Sequence, residues 1–278
     1  MKFGYVKPKS IMEISKAKKM GGVLFSGGTD VFVKIRSGII EPEFLIDTKG
    51  LETKKIDFDG KFLTIYINTT YSDLLKSDVV KKHFPFILKI IKTIGSPQIR
   101  NRGTPIGNVG NASPAGDFLL SLYIYDASCV VAPTMREAKI SEIVKGPGKI
   151  DLDKDEFIYA LKIPYLHGYE DYFEKVGARN AMIISIASIG ILMKRKEDVI
   201  EDIRIAFGSV APTVLRDVEI EESIRGKRII EDVFREIGEK YEKLSKPITD
   251  VRASAEYRRK LVRNLPIKAY LNFKGEIT

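Results

Sequence analysis

Two stretches place glycine beside hydroxyl and carboxylate side chains at spacings that suit an anion. Ser26-Gly27-Gly28-Thr29-Asp30 follows the apolar Val23-Leu24-Phe25 and precedes an amphipathic segment, while residues 104–111 lie in a turn-rich run, 95–117. Glycine lets backbone N–H groups approach an anion closely, and a following helix start adds partial positive charge, so each loop suits a phosphate or pyrophosphate. Two such loops suit one extended ligand. Each taken alone is a weak signal and reads more often as tight strand–turn–helix packing. No Gly-x-Gly-x-x-Gly follows a strand and no Gly-x-x-x-x-Gly-Lys-Ser/Thr occurs, which speaks against a Rossmann or P-loop site.

Other chemistry is scarce. The single cysteine, Cys129, cannot close an internal disulfide or by itself hold an iron–sulfur cluster or structural zinc. His83 and His167 are far apart without ligand-like neighbours, reading as a surface residue near a helix end and a loop residue. No catalytic residue and no metal ligand are assigned to this chain.

The loops must be carried by α/β structure. A helix starting at Ser10 and ending at Gly21-Gly22, a strand at 23–25, a helix at 31–36 and a strand at 44–47 form the first unit. Asp59-Gly60 between 54–58 and 62–67 is the dipeptide of a tight hairpin. Helices are expected at 71–75, 84–92 and 118–125, and strands at 129–132 and 157–163. Past a turn-rich boundary at 165–170, strands at 172–176, 183–193 and 202–207 precede helices at 219–225, 231–244 and 253–264. The reading is α+β, with domains at 1–52, 53–165 and 166–278.

The chain has 278 residues, 44% hydrophobic and 30% charged, with mean hydropathy −0.08, which excludes disorder and fibre. Its longest nearly apolar run, 181–193, falls short of the roughly 20 residues a membrane span needs. The start at Met1 lacks a signal-peptide pattern, so the expected address is the cytoplasm. Forty-six cations against 37 anions give +9, interspersed along the chain, a mild field with no nucleic-acid tail. Arg225, Lys227, Arg228, Arg258, Arg259, Lys260 and Arg263 have acidic residues among them and no aromatic stacking pattern. They read as contacts for partner subunits and not as a nucleic-acid surface. Heavy Lys, Glu, Arg and Ile usage, with one Gln and no Trp, resembles thermophile composition.

The motifs carry a resemblance. Ser26 to Asp30, Leu45-Ile46-Asp47, Gly95-Ser96-Pro97-Gln98-Ile99-Arg100-Asn101, Asn108-Val109-Gly110-Asn111-Ala112-Ser113-Pro114-Ala115-Gly116-Asp117, Ala206-Phe207-Gly208-Ser209-Val210-Ala211-Pro212-Thr213 and Val251 to Arg259 occur in the order seen in one family. They resemble the FAD-binding (medium) subunit of the molybdenum hydroxylases, of the xanthine dehydrogenase, carbon monoxide dehydrogenase and aldehyde oxidoreductase type. The resemblance implies a two-subdomain FAD-binding fold of the vanillyl-alcohol-oxidase (PCMH) type plus a C-terminal domain of sheet and helices. It implies partners: a large subunit with a molybdenum-pterin cofactor that oxidises the substrate, and a small one with two [2Fe-2S] clusters, in a dimer of heterotrimers. The medium chain would pass electrons from the clusters through FAD to an external acceptor. The cysteine count agrees, since another chain must ligate the clusters. A self-contained flavin oxidase or reductase of the same fold is the alternative, although neither a base for its own substrate nor a cap domain is evident.

Carried over position by position, Leu24, Phe25, Ser26, Gly27, Gly28, Thr29, Asp30 and Val31 match the first pyrophosphate loop. Thr104, Ile106, Gly107, Asn108 and Asn111 belong to the second. Asp117, Ile94 and Ile158 match cofactor-contact positions, and Lys175 matches a lysine near the flavin, where its charge would favour the anionic reduced form. Asp117 also reads as a helix cap, Lys175 as a solvated strand lysine and Ile94 as core. The family usually reads Thr-Ile-Gly-Gly-Asn where this chain has Thr104-Pro105-Ile106-Gly107-Asn108. Pro105 offers no amide, and Ile106 held at positive φ would cost about 1–3 kcal/mol.

Overall fold

A computed structural model describes residues 3–179 and 183–276. Met1 and Lys2 of the N-terminal stretch, and Ala181 and Met182 of the apolar run, lie outside the described residues. The chain divides into two compact units: one from residues up to Phe84, Ile94–Ala112 and Asp126–Tyr165, the other from Pro85–Thr93, Ser113–Tyr125 and Leu166 onward.

In the first unit, the Ser10 hydroxyl accepts from the Glu13 N–H and so starts the helix Ile11–Lys19. Helical crossovers allow parallel pairing. The strands Gly4–Val6, Phe44–Asp47 and Val23–Phe25 lie parallel in that order. A five-stranded antiparallel sheet runs Ile56–Phe58, Phe62–Tyr66, Phe157–Pro164, Ser128–Ala132, Arg136–Lys139. Its first hairpin turns at Asp59-Gly60: Gly60 has φ +87° and the Asp59 carboxylate accepts from the Lys61 and Phe62 amides. Buried Ile14 and Ile46 of the parallel part share one core with Ile67, Ala132 and Phe157 of the antiparallel part.

The run 95–117 is more ordered than its turn residues suggest. Ser96 caps the helix Pro97–Arg102 and Thr104 caps the helix Pro105–Asn111, each with proline in the first position. Proline there gives up no hydrogen bond, because that N–H has no helical acceptor, and its φ already suits the helix. Ile106 is therefore helical, and it is absent from the residues at positive φ. The strain expected at Ile106 is not present.

In the second unit, three antiparallel strands, Glu170–Val176, Ala187–Lys196 and Val199–Gly208, form one sheet with Ala187–Lys196 in the middle. Residues 187–193 are all buried because both faces are covered. On one face a Cβ at Gly190 would strike Ile124, Leu120 and Phe86 from the helices Asp117–Ile124 and Pro85–Thr93. Buried strand residues also pack with Phe234 and Ile237 of Glu231–Leu244 and with Val262, Leu265, Ala269 and Phe273 of Ala255–Phe273. That last helix runs through Pro266, well past residue 264 where the sequence pattern ends it. An interior proline costs about 3 kcal/mol, whereas burying each large apolar side chain contributes about 1.5–3 kcal/mol, so the buried stripe wins. Among the described residues no helix is long and apolar enough to cross a membrane.

Candidate cofactor site

The first unit brings the two glycine-bearing segments together. Asn111 Nδ2 donates to Asp30 Oδ1 at 3.2 Å, and Arg102 Nε donates to the Gly27 carbonyl at 3.4 Å. Gly27 sits so close to the neighbouring backbone that a Cβ there would lie 1.8 Å from the Arg102 carbonyl oxygen. Gly28 has φ +84°, and its Cβ would be within 2.8 Å of both the Phe25 and Phe32 rings, which meet edge to face at 5.1 Å. Glycine at 27 is thus demanded by close approach, and at 28 by both conformation and space.

The remaining first-unit candidates divide by what their side chains do. Leu24 packs against the Ile14–Ile46 core, whereas Phe25 and Val31 pack with Ile35 and Leu45, so these three side chains are structural. The Thr104 hydroxyl accepts from the Gly107 amide. Ile106 packs with the core that contains Phe157 and Tyr159, while buried Ile158 between them is not part of that cluster. Ile94 is half-buried and its carbonyl accepts from Arg100 Nη1 at 2.8 Å. Thr29 is half-buried and Gly107 exposed. The Asn108 Oδ1 is buried without a hydrogen-bond partner. An orphaned acceptor on one of two glycine-bearing segments that meet is what a polar ligand supplying a hydroxyl or amide would satisfy, so the residues present fit a dinucleotide.

Asp117 and Lys175 lie in the second unit. Gly116 occupies the N-cap position of Asp117–Ile124, so the Asp117 carboxylate does not cap its helix. It takes Lys175 Nζ at 2.6 Å, with both side chains almost wholly buried, and the Ser185 hydroxyl at 3.3 Å. Lys175 also donates to the Thr93 carbonyl at 3.2 Å, so it is not a solvated strand lysine. Burial, outweighing the lysine and serine, holds the Asp117 carboxyl above the usual carboxylate range.

The sequence reading gave no individual role to Ser185 and Ser209, which lie next to this pair, and read Arg258 as a partner contact. Ser185 Oγ lies 3.0 Å from Ser209 Oγ, and Ser209, at φ +65°, donates its amide to the Pro114 carbonyl. Arg258, 1% exposed, donates to the carbonyls of Ile186 and Ser209 and, at 2.8 Å, to Asp250. Arg252, by side chain and amide, together with Arg258 holds the Asp250 carboxyl far below its usual range. Arg258 is therefore not available to a partner chain. Several other cations read as partner contacts are paired within the chain: Arg225 with Asp202, Lys227 with Glu236, Lys260 with Glu256 and Arg263 with Glu239. Arg258→Lys keeps the charge but loses the fork that reaches two carbonyls and a carboxylate. It is expected to lower stability in urea denaturation by about 1–3 kcal/mol. Arg259→Glu, at an exposed neighbour, should change it by less than about 0.5 kcal/mol, and equal effects would contradict this assignment.

Residues 1–166 match the model of the FAD-binding domain in molybdopterin dehydrogenase, and residues 172–273 match that of the CO dehydrogenase flavoprotein C-terminal domain. The chain belongs to this family, the FAD-binding medium chains of molybdenum hydroxylases, and is the flavoprotein component of an oxidoreductase. It is 31% identical to the glyceraldehyde dehydrogenase medium chain of Sulfolobus acidocaldarius over 96% of this chain and 97% of that one. To the carbon monoxide dehydrogenase medium chain of Hydrogenophaga pseudoflava it is 26% identical, covering 92% of each. A solved carbon monoxide dehydrogenase from Hydrogenophaga pseudoflava, lacking the Mo-pyranopterin moiety of its molybdenum cofactor, superimposes with TM-score 0.92 at 25% identity over 98% of this chain and 96% of that one.

Proposed function

We propose that this chain is the FAD-carrying medium subunit of a cytoplasmic heterotrimeric molybdenum hydroxylase, assembled as a dimer of heterotrimers. The observation that carries the reading is the meeting of the 26–31 and 104–111 segments in one unit, with Asn108 Oδ1, on the capped helix Pro105–Asn111, buried and unpartnered. FAD, when bound, links the one-electron chemistry of [2Fe-2S] clusters on the small subunit to an external acceptor. The backbone amides of Gly27, Gly28 and Thr29 would hold the pyrophosphate, while the unpartnered Asn108 Oδ1 of the other segment would accept from a donor group of the same ligand. Ile94 and Ile158 of the same unit are proposed as further cofactor contacts.

The clusters belong elsewhere because the only cysteine, Cys129, is buried in a strand with its thiol pushed up to about 12 by burial. No general base is asked of this chain, since substrate oxidation falls to the large molybdenum-pterin subunit. Aldehyde is the first substrate class to test, with carbon monoxide and purines after it, because the glyceraldehyde dehydrogenase chain is similar along nearly its whole length. The test is anaerobic addition of an aldehyde to the complex purified with its two partner chains, and to this chain alone with FAD. Bleaching of the flavin bands in the complex only is expected. Bleaching of the isolated chain would instead make it a self-contained oxidase.

A further inference from the structure

Ser26 opens the first glycine segment, yet its hydroxyl hydrogen is engaged by a residue outside that segment. Ser26 Oγ donates to Asn68 Oδ1 at 3.0 Å. The same Oδ1 accepts from the buried Thr48 hydroxyl at 2.6 Å, and Asn68 Nδ2 donates to the Thr48 carbonyl at 2.8 Å. Asn68 follows the strand Phe62–Tyr66 and stands at φ +71°, a conformation that asparagine tolerates better than most side chains. The Ser26 carbonyl is held as well, by Lys49 Nζ at 3.0 Å. Lys49 in turn lies 3.8 Å over the Phe25 ring and is paired with Asp47, which also accepts from the Tyr5 hydroxyl.

We propose that Asn68 is the positioning residue of the first FAD loop, and that Ser26 serves the cofactor through Asn68, not by giving its hydroxyl hydrogen to a phosphate. This rests on the reading that residues 26–31 hold FAD. The physical reason is one of commitment. A hydroxyl has a single hydrogen, and this one goes to an amide oxygen that a buried threonine also fixes. With Ser26 gripped at side chain and carbonyl, and Gly27 pressed on the Arg102 carbonyl, the amides of Gly27, Gly28 and Thr29 are set before a ligand arrives, which lowers the ordering cost of binding. An asparagine that merely closed its own turn would need only the Thr48 contacts. The Ser26 bond joins it to the loop.

The test titrates FAD into the full-length apoprotein, read by quenching of flavin fluorescence, with melting temperatures measured in parallel. Asn68→Gly keeps the positive φ while removing both tethers, and Ser26→Ala removes the same bond from the other end. Each is expected to weaken FAD binding about tenfold, and the double variant to be no weaker than the worse single one, the non-additivity of a shared interaction. Thr48→Val, which removes the hydroxyl that Asn68 Oδ1 and the Phe25 carbonyl both face, should shift the dissociation constant in the same direction. Asn68→Gly binding FAD within about twofold of wild type, or single effects that add fully, would overturn the proposal while leaving the cofactor assignment intact. Wild-type chain that takes up no FAD at all would overturn both.

Discussion

Gly27→Ala is expected to yield a folded chain that binds FAD about 100-fold more weakly, the upper end of what one to three kcal/mol of overpacking produces. The new methyl would lie 1.8 Å from the Arg102 carbonyl oxygen. Backbone cannot swing aside as the end of a lysine can, so the loop must move off the 95–103 segment. That movement would strain the Asn111–Asp30 tether, which is 3.2 Å long. Gly146→Ala is the matched control. It ends the strand Val144–Gly146 in the same unit, outside both glycine segments, and its Cβ would meet nothing within 4 Å, so FAD binding should hold. Equal FAD affinity in both variants, measured by fluorescence titration, would show that the 26–31 segment does not hold the cofactor.

Lys175→Met is expected to destabilise the second unit most, by about 3–5 kcal/mol in urea denaturation near neutral pH, because it leaves the Asp117 carboxylate buried and uncompensated. The loss should depend on pH in a defined direction. Burial already raises the Asp117 carboxyl, and removing the ammonium raises it further. Between the unfolded and folded titrations the native chain then holds more protons than the unfolded one, so its stability falls as pH rises. The deficit of the variant should therefore be largest where the Asp117 carboxyl is ionised and shrink as pH falls through its raised titration. Pairing Lys175→Met with Asp117→Leu removes both charges and should recover most of the deficit. A deficit independent of pH, or no recovery in the double variant, would mean that the pair is not ionic.

Much of the fold was legible because its signals are local. Asp59-Gly60 names a hairpin by its tolerance of positive φ, and Ser10 names a helix start by its hydroxyl. The apolar run ending at Met193 reads as a strand rather than a span by its length, although only the covering helices explain why it does not alternate. What stayed hidden depends on distant partners. Pro85–Thr93 and Ser113–Tyr125 pack with the C-terminal residues, a fact of tertiary contact that no local periodicity contains. The 95–117 run looked like loop because proline, serine and threonine mark both turns and helix starts, and here Ser96 and Thr104 cap helices.

The candidate site shows the same division. Glycines 27 and 28 stood out by their place between a strand and a helix, although such a pair also serves plain packing; only the structure shows that their surroundings leave no room for a side chain. Arg258 looked like its exposed neighbour Arg259, since an arginine among charges carries no mark of burial. Only Asp250 and the carbonyls of Ile186 and Ser209 set it apart. Asn68 lay unmarked after its strand, its link to Ser26 spanning 42 residues.

The central claim is that this chain holds FAD with the two glycine segments of its first unit. The most direct measurement is the visible absorption spectrum of the purified full-length chain, with chromatography of what denaturation releases. The account predicts two flavin bands and released FAD, with Pro105 and Ile106 no obstacle. A colourless chain that takes up no added FAD, even beside its partner subunits, would contradict it.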